Sequence, residues 1–146
     1  MKWSVDQYIA LPRETNRENN LKKTLRKLSD KEREDWTWEL IEKTPGWGIE
    51  IASTCCRRKP FFEKILEKGL ETSDVSQIYW WLDCVIPKLG FKKVLFILKD
   101  TLEVNPNAVA RTLYWLPGFL DRKNKKQLAA YRMLFDLAKT KGIIKP

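Results

Sequence analysis

The sequence predicts an all-α protein of about seven or eight amphipathic helices arranged in antiparallel pairs. Apolar residues recur at steps of three and four along most of the chain, which is the spacing of one helix face. Only six of the 146 residues are glycine, and no segment shows the alternation of apolar and polar residues that is typical of strands. Capping residues and prolines mark where the helical segments begin and end.

The first two helices are predicted from capping signals. Ser4 and Gln7 have the spacing of a capping box, in which two side chains satisfy backbone N–H groups at the start of a helix. We expect a short helix over 5–10 to follow. Thr15 repeats the capping signal before a helix over about 16–28, and the narrow leucine stripe of that helix indicates a peripheral position.

Three further helices follow before the middle of the chain. Ser29 begins the first of them, and the pair Pro45 and Gly46 is expected to end it. The next two helices are predicted over about 47–58 and 60–70. The second has proline in its first turn, where the missing N–H costs nothing.

The stretch over 78–98 is the most apolar part of the chain, and a break over 87–90 divides it into two helices. In the first helix, Tyr79 falls on the expected core face. Trp80 and Cys84 fall on the other side, stacked one turn apart. This helix pair is therefore predicted to be the centre of the fold.

The remaining helices are predicted over 91–104, from Asn105 to Leu116 or Leu120, and over about 124–141. Asn105 is followed by proline, a combination that is typical of a helix N-terminus. A basic turn precedes the last helix, and a glycine follows it.

An aromatic helix followed by proline and glycine occurs three times, starting at Trp36, Tyr79 and Tyr114. Trp36 and Trp80 are 44 residues apart, and Trp80 and Trp115 are 35 apart. Helix-pair repeats of the HEAT and armadillo type run about 40–47 residues. The spacing loosely resembles a short HEAT-like α-solenoid but matches no consensus. The alternative is a compact helical bundle in which the motif recurs by chance.

The length of 146 residues indicates a single all-helical domain over 1–146. Within it, 1–28 is predicted to be an N-terminal cap, 29–120 the core helix pairs, and 121–146 a basic C-terminal helix.

The sequence lacks most catalytic apparatus. It contains no histidine, which removes the commonest acid–base group and His-activated nucleophiles, and it has no glycine-rich phosphate loop. Cys55, Cys56 and Cys84 lack the spacing of a zinc site or a disulfide framework. We therefore expect no enzyme, no metal and no cofactor. The alternative is an enzyme that uses a carboxylate or one of the paired cysteines, activated by the adjacent Arg57.

The same features bear on compartment. Three cysteines, an odd number without framework spacing, indicate reduced thiols. The first residues lack the apolar core of a signal peptide, and no apolar run approaches the roughly 18 residues of a membrane helix. We expect a cytoplasmic protein without a membrane partner.

Helix geometry places four aromatic residues off the main core stripes: Trp38, Trp80, Phe96 and Tyr114. Such residues dominate protein–protein interfaces, because they bring a large apolar area with few rotatable bonds. They are therefore candidate contacts for a protein partner. The alternative is that they form a second core layer.

The chain has a formal charge of +9, and residues 121–146 carry eight basic residues against two acidic ones. Such a block can contact phosphates or acidic protein surfaces, although a solvated lysine face has the same composition. Nucleic acid is therefore the alternative partner, bound by the block over 121–145. The candidate contacts are Arg122, Lys123, Lys125, Lys126, Arg132 and Lys139.

Overall fold

The computed structural model describes residue 1, residues 3–71 and residues 74–143, with Val75 described by its backbone only. Within these residues the regular structure consists of nine α-helices and one 3-10 helix, without a β-strand. The all-α prediction is confirmed, with nine α-helices where about seven or eight were expected. No helix in this part of the chain has the length and apolar composition needed to cross a bilayer. The helices are α1 (Val5–Ile9), α2 (Thr15–Lys27), α3 (Asp30–Lys43), α4 (Pro45–Cys55), α5 (Lys59–Leu70), α6 (Val75–Leu89), α7 (Phe91–Thr101), α8 (Pro106–Trp115), the 3-10 helix (Leu116–Phe119) and α9 (Lys125–Thr140).

Local capping fixes several of these helix starts as predicted. At α1 the Gln7 N–H donates to Ser4 Oγ at 3.1 Å, and the Ser4 N–H donates to Gln7 Oε1 at 3.0 Å, which completes the capping box. Ser29 Oγ accepts from the Glu32 N–H at 3.2 Å at the start of α3. Asn105 caps α8 in the same way.

Two of the predicted helix starts are wrong. Thr15 is the first residue of α2 rather than its cap, and the preceding Glu14 makes no side-chain capping bond. Pro45 begins α4 directly after α3 instead of only ending α3. The reason is that proline is favourable in the first helical turn, because its missing N–H would have no partner there.

The contacts divide the chain into two compact units, Met1–Phe61 and Phe62–Pro146. The boundary falls inside α5 and therefore inside the predicted core segment over 29–120. The single-domain prediction and its three segments stay predictions.

In the first unit α3 packs against α1 and α4, and α2 packs against α4. Leu21 and Leu25 of α2 are fully buried, so the narrow leucine stripe is a core face. One core cluster of this unit consists of Val5, Tyr8, Leu21, Leu25, Leu40, Ile51 and Cys55.

A buried arginine joins two helices of the first unit. Arg33 of α3 is only 5% exposed. Its guanidinium donates to the carbonyls of Leu25 at 2.9 Å, Arg26 at 3.1 Å and Leu28 at 2.9 Å. Its Nη1 also donates to Asp30 Oδ1 at 3.1 Å. Because the last carbonyls of a helix lack partners within that helix, Arg33 satisfies the end of α2.

In the second unit α7 lies against α6, α8 and α9. The break between α6 and α7 is Gly90, whose φ of 88° favours glycine. Val94, Leu95 and Leu98 of α7 are buried. The apolar stretch of the sequence therefore forms much of the core of this unit.

Two side chains of α6 differ from the sequence expectation. Cys84 was expected away from the core, but it is 3% exposed, and Tyr79 was expected inside it, but it is 43% exposed. The reason is that α6 contacts α7, α8 and the 3-10 helix, so more than one of its faces is covered. The core of α6 therefore cannot be assigned from a single apolar stripe.

Candidate binding groove

An apolar groove of about 660 Å³ runs between α7 and α9 in the second unit. Its lining residues are Lys92, Leu95, Phe96, Lys99, Lys126, Ala129, Ala130, Met133, Leu134 and Leu137. Apolar side chains form the floor of the groove, and lysines line it from both helices. The groove is therefore a concave, mainly apolar surface with basic residues at its edges.

The spacing of the lining residues explains the groove. They recur at three- and four-residue steps on each helix, so each helix presents a single face to it. Ala129 and Ala130 lie near the middle of the α9 face and have only a Cβ to fill the space. Leu134 is 4% exposed and anchors α9 in the core. The groove therefore remains open above a packed floor.

Two large apolar side chains of the groove are in contact with solvent. Phe96 is 58% exposed and Met133 is 70% exposed. The Lys93 ammonium lies 5.5 Å from the centroid of the Phe96 ring, and it also pairs with Glu63 at 3.6 Å. Burying an apolar side chain of this size contributes about 1.5–3 kcal/mol. Because both side chains are mostly exposed, a partner that covers them would gain much of this free energy.

The charge of the groove has one sign. Lys92 and Lys99 line it from α7, Lys126 lines it from α9, and no acidic residue is among its lining residues. This positive edge complements a negatively charged ligand.

The structure brings two sequence-predicted residues together in this groove. Phe96 was predicted as an aromatic contact and Lys126 as a basic one, and both line it. Trp80 and Tyr114 are 51% and 75% exposed but do not line it. Trp38 belongs to the first unit, where it is half-buried and its ring contacts that of Phe61.

Tyr114 is part of a separate aromatic cluster in the second unit. Its ring centroid lies 5.3 Å from that of Trp115. Tyr79 lies 5.9 Å from Trp115 and 5.1 Å from Phe119. Because these rings pack on one another, Tyr79 lies at the rim of a small aromatic layer, and its outer edge is exposed.

The predicted basic residues are all exposed, but they do not share one face. At about 100° per residue, Leu137 lies near the middle of the groove-lining face of α9, and Arg132 and Lys139 lie about 140° and about 160° from it. Both therefore lie on the side of α9 away from the groove. Arg122, Lys123 and Lys125 belong to the turn before α9 and its first residue. Lys145, at the end of the predicted block, lies outside the described residues.

Sequence reasoning missed the α9 wall of the groove. Met133 is not among the candidate contacts that the sequence indicated. A signal was present, because Lys126, Ala130, Met133 and Leu137 recur at steps of four, three and four. Recognising it as a groove requires knowing that α7 is the neighbour.

The cysteine thiols are enclosed. Cys55, Cys56 and Cys84 are buried. Burial raises the pKa of Cys56 to about 12, although a hydrogen bond with the Thr37 hydroxyl at 3.8 Å opposes the shift. Within the described residues no three Cys, Asp or Glu side chains are grouped as metal ligands would be. The thiols thus behave as core side chains.

No protein-family model, curated protein or solved structure matches this chain. The HEAT-like arrangement therefore stays a prediction.

Proposed function

We propose that this chain is a cytoplasmic, non-enzymatic protein–protein interaction module that acts as an adaptor, inhibitor or assembly factor. The groove between α7 and α9 is its binding surface. The observation that carries the proposal is the pair of exposed side chains, Phe96 and Met133, above an apolar floor with lysines on both walls. Aromatic and methionine side chains around a pocket are typical of interface centres.

Binding rather than catalysis is supported by the side chains available. The chain has no histidine, and its thiols are buried, with the pKa of Cys56 raised by that burial. A nucleophilic cysteine needs an accessible thiolate, which a lowered pKa would provide. Three cysteines outside any disulfide framework also fit a reducing compartment such as the cytoplasm.

The test is an affinity capture from a nuclease-treated lysate of the protein's own host cells. Wild type is compared with the double variant Phe96→Ala, Met133→Ala and with the control Val104→Ala. Val104 is 85% exposed and does not line the groove. We expect a stoichiometric protein that is retained by wild type and by the control and is lost from the double variant. The same proteins retained by all three baits would contradict the proposal.

A second candidate function is nucleic-acid binding through the basic block over 121–145. Its support is the exposure of all six predicted side chains, including Arg132 and Lys139 on the far side of α9. The double variant Arg132→Glu, Lys139→Glu should then abolish binding to a single-stranded oligonucleotide. The affinity should also fall by about 0.7 log units per log unit of salt for each phosphate contacted. A flat salt response would eliminate this candidate.

A further inference from the structure

We infer that the ligand of this groove is an amphipathic α-helix of a partner protein, with acidic residues flanking its apolar stripe. This inference rests on the proposed function and names the class of partner.

The dimensions of the groove fit a short helix. Its α9 wall extends from Lys126 to Leu137, which at 1.5 Å per residue is about 16 Å, or three helical turns. A helix of that length presents apolar residues at steps of three and four on one face. Such a face matches the spacing of the residues on both walls.

The backbone chemistry of the groove also favours a helix. Both walls belong to α-helices, whose N–H and C=O groups are bonded within the helix. An extended peptide would bury its own backbone polar groups against side chains that offer few partners, at a cost of about 1–3 kcal/mol for each group. A helix satisfies these groups internally. The groove therefore selects a ligand that brings its own hydrogen bonds.

The charge of the walls selects acidic flanks. Lys92 and Lys99 stand about 10 Å apart along α7, at 1.5 Å per residue. Lys126 stands on the opposite wall. Glutamates on both sides of an apolar stripe would reach these lysines while the stripe occupies the floor. A phosphate backbone would leave the floor formed by Leu95 and Leu137 uncovered, which disfavours nucleic acid at this site.

The experiment uses four labelled synthetic peptides of about 18 residues, or five helical turns. Three share one apolar stripe and carry Glu, Gln or Lys at the flanking positions, and the fourth is the Glu peptide with its stripe scrambled. Binding to the full chain is measured by fluorescence anisotropy. We expect the Glu peptide to bind about tenfold more tightly than the Gln peptide, and the Lys and scrambled peptides to bind more weakly still.

A matched pair of charge reversals locates the contact. Lys126→Glu should weaken the Glu peptide about tenfold and strengthen the Lys peptide, whereas Arg132→Glu should change either affinity less than about twofold. Both replace one basic residue of α9 by glutamate, so the net charge changes equally. Equal effects of the two reversals would overturn the inference.

The remaining outcomes separate this inference from the proposed function. If the Glu, Gln and Lys peptides bind equally well and Phe96→Ala abolishes their binding, the inference of an acidic partner is overturned. The proposed protein-binding groove then remains. If none of the four peptides binds, the inference that the ligand is a helix is overturned. Affinity capture would still decide the proposed function. Two further results would also overturn the inference of an acidic helical partner. One is displacement of the Glu peptide by an oligonucleotide, and the other is a dimer of the free chain that Phe96→Ala dissociates.

Discussion

Gly48 of α4 lies against the backbone of Ile41 of α3, so that a Cβ at residue 48 would stand 2.5 Å from the Ile41 Cα and 2.5 Å from its amide nitrogen. This separation is shorter than any van der Waals contact, and a helix backbone cannot move aside as a side chain can. The close approach of α3 and α4 therefore depends on glycine at this position.

Gly48→Ala should destabilise the protein by about 2 kcal/mol, because the strain of overpacking exceeds the helix propensity gained by alanine. The matched control is Gly118→Ala, since a Cβ there would meet no atom within 4 Å. Urea unfolding of both variants measures the difference. A Gly48 variant as stable as the Gly118 variant would contradict the close packing.

Arg33→Met should cost about 3 kcal/mol of unfolding free energy. The substitution removes the guanidinium that donates to three carbonyls at the end of α2, and methionine offers no donor in its place. Lys31→Ala is the control. Lys31 is 85% exposed and pairs with Asp35 at 3.5 Å, and such surface pairs contribute at most about 1 kcal/mol. Chemical denaturation should show a larger loss of unfolding free energy for Arg33→Met than for Lys31→Ala. The reverse order would exclude Arg33 as the cap of α2.

The stability of the protein should fall at alkaline pH through Cys56. Burial raises the pKa of this thiol from 9.0 to about 12. Above pH 9 the unfolded chain therefore loses the proton while the folded chain keeps it, and ionisation favours unfolding. The contribution is complete below pH 9 and is lost between pH 9 and about pH 12.

Urea unfolding of wild type and Cys56→Ala near pH 8 and again near pH 10.5 isolates this effect, because other groups titrate alike in both proteins. Wild type should lose more stability than the variant over this interval. Parallel losses would mean that the folded thiol ionises normally.

Truncation of two neighbouring residues of α9 should change the stability of the protein by different amounts. Leu134→Ala should cost about 2–3 kcal/mol, because this side chain is 4% exposed. Met133→Ser should change the unfolding free energy by less than about 0.5 kcal/mol, because this side chain is 70% exposed. Thermal unfolding of the two variants tests the assignment. A large loss in Met133→Ser would indicate that this methionine belongs to the core.

The helices could be predicted because their signals are local. Ser4, Ser29 and Asn105 cap the helices that they precede, and Gly90 ends α6 with a positive φ. Each signal acts within a few residues and does not depend on the rest of the fold. Helix ends shifted by two or three residues where proline could either end one helix or begin the next, as at Pro45.

The groove could be predicted only in part. Phe96 and Lys126 were recognised as surface residues, but their proximity depends on the packing of α7 against α9, which no local pattern encodes. Met133 was missed for the same reason. Tyr79 and Cys84 were misassigned because α6 is covered on more than one face.

The most direct measurement places a photo-crosslinking phenylalanine analogue at Met133 in one protein and at Arg132 in another, each in a nuclease-treated host lysate. The two positions are adjacent on α9, but only Met133 lines the groove. A partner that docks in the groove should give a protein adduct of defined mass from position 133 and none from position 132. Adducts of the same proteins from both positions, or from position 132 alone, would contradict the groove as the binding surface.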